Sequence, residues 1–244
     1  MSKKKVSIFV IILGIIFLAV GTYLMLNEIK EEDFSPTPPV AEDKYIESLN
    51  PNDDLVQSLY HMTKGYWYSD LSENNYYFYK SDVLFVSEFE VNQLFNLVFE
   101  RIYKKGLLSD ELTVKEDVVK EEFNEIYGNY VTYSKIEMFT NGCYHIMFDD
   151  ATNEYKYFLT NGCVGLANVI SEVTAAHRYE NKIVIEESVL FSNGFEYFYD
   201  VELTNKSNST IIDVNDSNIL KYNYTFRYDK ELDKYYFYSV EKAK

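Results

Sequence analysis

Cysteine is close to absent. Cys143 and Cys163 are the only two in 244 residues, and the three histidines, His61, His145 and His177, are scattered. A zinc site takes about four such ligands, so this set makes no recognisable metal centre. Neither cysteine lies near the N-terminus, which excludes a lipoprotein-type anchor. Positive charge is also short: 23 Lys and Arg stand against 39 Asp and Glu, a formal balance of −16. Such a surface repels phosphate backbones and anionic headgroups, which argues against nucleic acid as a partner. The ordinary meaning of the charge is solubility, with a cation or a basic partner permitted. Catalytic signatures are missing as well. The chain has no G-x-S-x-G, no glycine-rich nucleotide loop and no H-E-x-x-H. No catalytic residue, metal or cofactor is implied.

What is present begins at the N-terminus. Lys3, Lys4 and Lys5 precede an uncharged, mostly apolar run, Val6–Leu26. As a helix it spans about 31 Å, the thickness of a hydrocarbon core. The lysines favour the cytoplasmic side, and Glu28, Glu31, Glu32 and Asp33 follow on the other. The expected layout is a cytoplasmic tail (1–5), a transmembrane helix (6–26), a Pro-containing linker (27–42) and an extracytoplasmic domain (43–244). A cleaved signal peptide is the alternative, with Ala19-Val20-Gly21 as the small-residue site. Tyr23–Leu26 carry the apolar run past that point, further than a signal h-region of about 7–15 residues. The five-residue tail is too short to hold a signalling domain. Pro36, Pro38 and Pro39 favour extended polyproline backbone in the linker. Beyond it about 200 residues suffice for one core.

The two cysteines each end the same tetrapeptide, Thr140-Asn141-Gly142-Cys143 and Thr160-Asn161-Gly162-Cys163. Tyr144–Asp149 and Glu154–Leu159 read as strands around a turn at Asp150–Asn153. That hairpin brings the cysteines together, and an oxidising exterior makes a Cys143–Cys163 disulfide the expectation. A bridge of this loop size stabilises by about 3 kcal/mol on the chain-entropy view. A thiol nucleophile at Cys143 with His145 as base is the competing reading, and it needs a free thiol of lowered pKa.

The first half of the domain reads as helical. Asp53 and Asp54 can cap a helix with Leu55, Val56, Leu59 and Tyr60 on one face. A second helix is expected from Ser87, with Glu90 closing a capping box and Gly106 ending it. A third is expected from Thr113 with Glu116, ending at Gly128. Tyr66–Val86 reads as partly extended. The second half reads as strands: Val169–Tyr179 and Lys182–Phe191, then Phe195–Leu203 after a turn at Asn193-Gly194, and a last hairpin. In that hairpin Tyr222, Tyr224, Phe226 and Tyr228 share one face, and Tyr236, Tyr238 and Val240 continue it on the return strand. The fold class is α+β: about three helices packed on a curved antiparallel sheet, in the manner of NTF2-like domains.

The single anchor, the Leu55–Tyr60 helix, the cysteine-ended hairpin and the closing Tyr222–Tyr228/Tyr235–Glu241 pair resemble a diffuse group of membrane-anchored extracytoplasmic proteins of low-GC Gram-positive bacteria. The resemblance is one of layout. It implies a location and carries over no catalytic residues. Two further features have the make-up of ligand sites. Asp213, Asn215 and Ser217 occupy the first oxygen positions of a calcium loop, but its twelfth position is Tyr224, where a bidentate Glu is needed. The aromatic clusters Tyr66-Trp67-Tyr68 and Tyr76-Tyr77-Phe78-Tyr79 could stack on sugars, and against that stands the ordinary preference of aromatics for strands. Tyr66, Trp67 and Tyr68 are the candidate ligand-binding residues. The leading expectation is a non-enzymatic domain binding an envelope protein or cell-wall glycan. The alternatives are an envelope hydrolase using carboxylates in an aromatic cleft, and a small-ligand binder in a curved-sheet cavity.

Overall fold

The structure is a computed structural model describing residues 43–64, 73–140, 144–159 and 168–243. The expected transmembrane helix and linker, the trio Tyr66, Trp67 and Tyr68, and both cysteines lie outside the described residues. Asp43–Lys244 forms one compact unit. It is a mixed α+β domain with a large antiparallel sheet and few helices.

Four helices are present among the described residues. The first, α1 (Asp54–Met62), buries Val56, Leu59 and Tyr60 of the expected face, while Leu55 is exposed. The second, α2 (Glu73–Lys80), falls in the stretch expected to be partly extended. Its Phe78 and Tyr79 are core residues, and burying them outweighs the strand preference of aromatics. The third, α3 (Val91–Lys104), starts four residues later than expected. A 3-10 turn at Val86–Glu88 comes first, where Glu88 accepts the Phe85 N–H at 3.0 Å. The Glu90 N–H then donates to Gln93 Oε1 at 2.7 Å and opens the helix. The fourth, α4 (Glu116–Tyr127), also starts late. Thr113–Lys115 instead forms a strand whose Val114 is buried, so the apparent capping box is sheet backbone.

The strands divide into two sheets rather than one. The smaller has the order β3 (Thr113–Lys115), β6 (Glu154–Leu159), β5 (Tyr144–Asp149), β4 (Met138–Thr140). It packs on α3 through Phe99, whose ring meets those of Phe139, Tyr155 and Tyr157. The larger runs β1 (Tyr45–Leu49), β7 (Asn168–Tyr179), β8 (Lys182–Ser192), β11 (Leu220–Asp229), β12 (Lys234–Lys242), β2 (Val83–Phe85). Two-residue strands β9 (Tyr197–Phe198) and β10 (Lys206–Ser207) extend it beside β8. The expected strand Phe195–Leu203 is therefore cut to two residues. The Asp200 carboxylate accepts the Thr204 N–H at 2.8 Å and the Asn205 N–H, folding the chain into a turn instead.

One face of the large sheet carries the core. Tyr222, Tyr224 and Phe226 are fully buried, as their alternation predicts. On β12 the pattern shifts at a bulge: Thr225 pairs with Ser239 and Phe226 with Phe237, so Tyr238 is the extra residue. Phe237 thereby joins Val240 on the inner face; of the three residues expected there, Val240 is in place, and Tyr236 and Tyr238 fall on the other face, Tyr236 still buried. Rings of α1 and α2 close on this face: Tyr60 and Phe78 both contact Tyr224, and Phe78 also contacts Phe237.

Candidate functional site

Strand β8 carries an inward stripe, Ile183, Ile185, Glu187, Val189 and Phe191, all fully buried. Four are apolar. The third is a carboxylate in a core position, opposite Tyr222 on β11 and Val173 on β7. Burying a charge is costly unless it is paired and hydrogen-bonded. Glu187 is both. Lys64, two residues past the end of α1 and 4% exposed, places Nζ 2.8 Å from Oε1 and 3.0 Å from Oε2. The Tyr60 hydroxyl donates to Oε1 and that of Tyr224 to Oε2, both at 2.6 Å. Lys64 also donates to the oxygens of Tyr224 (2.8 Å) and Tyr79 (3.2 Å), and its ammonium lies 4.5 Å from the Tyr224 ring centroid. Two helices, two strands and the segment after α1 thus converge on one ion pair.

The charges fix the direction of every bond in this cluster. An ammonium only donates and a carboxylate only accepts. The phenols of Tyr60 and Tyr224 must therefore point their hydrogens at Glu187. Burial, and then the Glu187 charge, hold both phenols well above their ordinary range. Burial pulls the Lys64 amine below its ordinary range, and Glu187 opposes that fall.

The cluster is not sealed. Tyr60 also contacts Ser171 Oγ at 3.0 Å, and both residues line an open cleft of about 620 Å³. The cleft lies beside the first half of β7. Strand β1 pairs only with Ala176–Tyr179 of β7, then leaves through Pro51 and Asn52, which form one rim. A bulge between Val173 and Ala175 turns Thr174 toward Glu186, whose Oε1 accepts from Thr174 Oγ1 (2.8 Å) and Lys221 Nζ (3.0 Å). Gln57, His61, Glu172 and Val214 complete the wall. Burial, and then Lys104, lower the His61 pKa.

Tyr66, Trp67, Tyr68, Cys143 and Cys163 lie outside the described residues, so the expected sugar platform and disulfide have no geometry here. The second aromatic cluster does reach the site, through Tyr79. Of the histidines, His145 meets Thr140 Oγ1 at 2.9 Å, His177 meets Ser48 at 3.4 Å, and only His61 lines the cleft. In the loop read for calcium, Asp213 accepts the Asn215 N–H and Asp216 accepts the Asn218 N–H and the Tyr199 hydroxyl. No group of three metal-ligating side chains gathers among the described residues. Lys64, Glu187 and Ser171 were missed. The legible signal was an acidic residue at an inward position of β8. The chain matches no family model, no curated protein and no solved structure.

Proposed function

We propose that this chain is a membrane-anchored, extracytoplasmic binding domain that offers the cleft beside Tyr60 to a polar envelope ligand, an envelope protein or a cell-wall glycan. The observation that carries the reading is the cleft itself: about 620 Å³, open, and walled mostly by hydrogen-bonding side chains over a braced floor. Rigid polar groups lining a concavity of this size are the usual make-up of a binding site.

The site's chemistry favours binding over catalysis. Ser171 has Tyr60 as its neighbour, but that phenol's proton is held against Glu187. A phenol so far above its ordinary range is no base for activating a serine. The hydrolase alternative needs two carboxylates pushed apart in pKa on one pocket. Glu172 is exposed, and Glu186 is held by Lys221 and Thr174. The cavity alternative has less support, because rings fill the inner sheet face and the cleft lies at the edge of β7.

The membrane location rests on Lys3–Lys5, the run Val6–Leu26 and the layout shared with anchored proteins of low-GC Gram-positive bacteria. No helix among the described residues is long and apolar enough to cross a membrane. The finer fold reading, an NTF2-like cone, is supported by six consecutively paired strands with α1 and α2 on one face.

The test is capture from envelope fractions with the full chain and with Val214→Trp, which fills the cleft mouth from a half-exposed position. A reproducible partner or glycan retained by the native chain and lost by the variant is expected. Identical capture by both, or none, sinks the reading.

A further inference from the structure

Several hydroxyl donors of the cleft wall are already engaged by the protein. Tyr60 donates to Glu187, so the Tyr60–Ser171 contact is a bond from Ser171 to the phenol oxygen. Ser171 then presents only lone pairs to the cleft. Thr174 donates to Glu186 and accepts from Ser188 Oγ at 3.4 Å, which leaves one lone pair on its oxygen. Gln57 donates through Nε2 to the Pro51 carbonyl at 2.7 Å, which leaves its Oε1 free to accept. Around these oxygens stand the carboxylates of Glu172 and Glu186, against the single Lys221 ammonium. His61 is held toward its neutral form beside Lys104. The wall is thus rich in acceptors and carries more negative than positive charge.

A neutral polyol could pair with the amides of Asn52 and Gln57 but brings no charge to offset the excess of carboxylate. A protonated primary amine brings three donors, no acceptor and a compensating charge. We propose that the cleft is a site for a protonated primary amine, gripped by Ser171, Thr174, Gln57 and the carboxylates of Glu172 and Glu186, with Lys221 moving aside. The same ammonium comes from a free amine or from a lysine side chain of a peptide. Tyr60 is a positioning residue: the Lys64–Glu187 pair fixes its proton, and that proton fixes the polarity of Ser171. The inference rests on the binding reading above and specifies what is bound.

The test is calorimetric titration of the full chain in detergent micelles. The probes are n-butylamine, the isosteric n-butanol, a blocked lysine peptide and its Nε-acetylated form. The methyl resonances of Thr174 and Val214 report where each binds. Expected are saturable shifts with the amines, at least about ten-fold tighter than with their neutral counterparts. Glu172→Gln and Glu186→Gln should each weaken amine binding several-fold while leaving butanol unchanged. Ser171→Ala serves if Glu186→Gln does not fold, and it too should weaken the amine. Tighter binding of butylamine assigns the site to free amines, and tighter binding of the lysine peptide assigns it to a basic segment. Equal shifts by amine and alcohol overturn the amine assignment and leave the cleft a binding site. No shift with any probe also overturns it. Retained cleft-dependent capture would then keep the binding reading standing, and lost capture would take both down.

Discussion

At the residue scale the buried ion pair governs stability through its partners. Glu187→Gln leaves the Lys64 ammonium buried against a neutral amide, and such a loss costs about 3–5 kcal/mol. The double change Lys64→Met with Glu187→Gln removes both charges and keeps an acceptor for the phenols. It should be less destabilising than Glu187→Gln alone, as read by urea denaturation midpoints. If the double variant falls as far as the sum of the singles, the two side chains are not coupled. The tyrosines set the alkaline limit. Burial raises Tyr60, Tyr79, Tyr127 and Tyr224 well above the ordinary phenol value of 10.0. The unfolded chain releases those protons near 10 while the folded chain keeps them. Their contribution is therefore fully present below that value and is lost as pH rises beyond it, by about 1.4 kcal/mol per pH unit for each phenol. Urea midpoints taken from neutral pH upward should fall steeply past 10, and each Tyr→Phe change at these four positions should remove phenolate absorbance only from the step that accompanies unfolding. Loss of absorbance from the gradual rise before unfolding, which the exposed tyrosines produce, would show that the substituted hydroxyl reaches solvent in the folded state.

At the element scale the joint between α4 and β12 is the tightest point with a clear test. Gly128 ends α4 at φ +53°, and a Cβ there would sit 2.7 Å from Cγ of Tyr236. Gly106, which follows α3 at φ +66°, has nothing within 4 Å of such a Cβ. Gly106→Ala should cost only the left-handed backbone penalty, about 1–2 kcal/mol. Gly128→Ala should cost clearly more, and adding Tyr236→Leu should recover part of the excess. Equal losses in the two single variants would mean that the Tyr236 ring yields without cost. Both glycines were legible as helix stops, because positive φ after a helix is a local demand. Helix starts were not. Ser87 and Thr113 look like caps, but long-range pairing takes Thr113–Lys115 into a sheet with Glu154–Lys156. Alternation identified Tyr222, Tyr224 and Phe226 on β11, and on β12 it placed Val240 but not Phe237, because the bulge at Tyr238 shifts the period without a sequence mark.

At the scale of the whole molecule, the candidate site shows what sequence order conceals. Lys64 and Glu187 stand 123 positions apart, and neither sits in a motif. Only the inward stripe of β8 hinted that one carboxylate would need a buried partner. The proposed membrane layout rests on local signals instead, Lys3–Lys5 and Val6–Leu26, because insertion depends on length and local charge rather than on tertiary pairing. That layout makes a prediction for Cys143 and Cys163. With the N-terminus inside, residues 43–244 face an oxidising exterior, and the two thiols should pair. A membrane-impermeant maleimide on intact cells should then label neither cysteine until a reductant is added. Labelling without reductant would place free thiols outside and return attention to Cys143 beside His145. Labelling only after permeabilisation, with no reductant needed, would contradict the predicted layout. It would also move the acceptor-lined cleft to the compartment where amines and basic segments of cytoplasmic origin are its ligands.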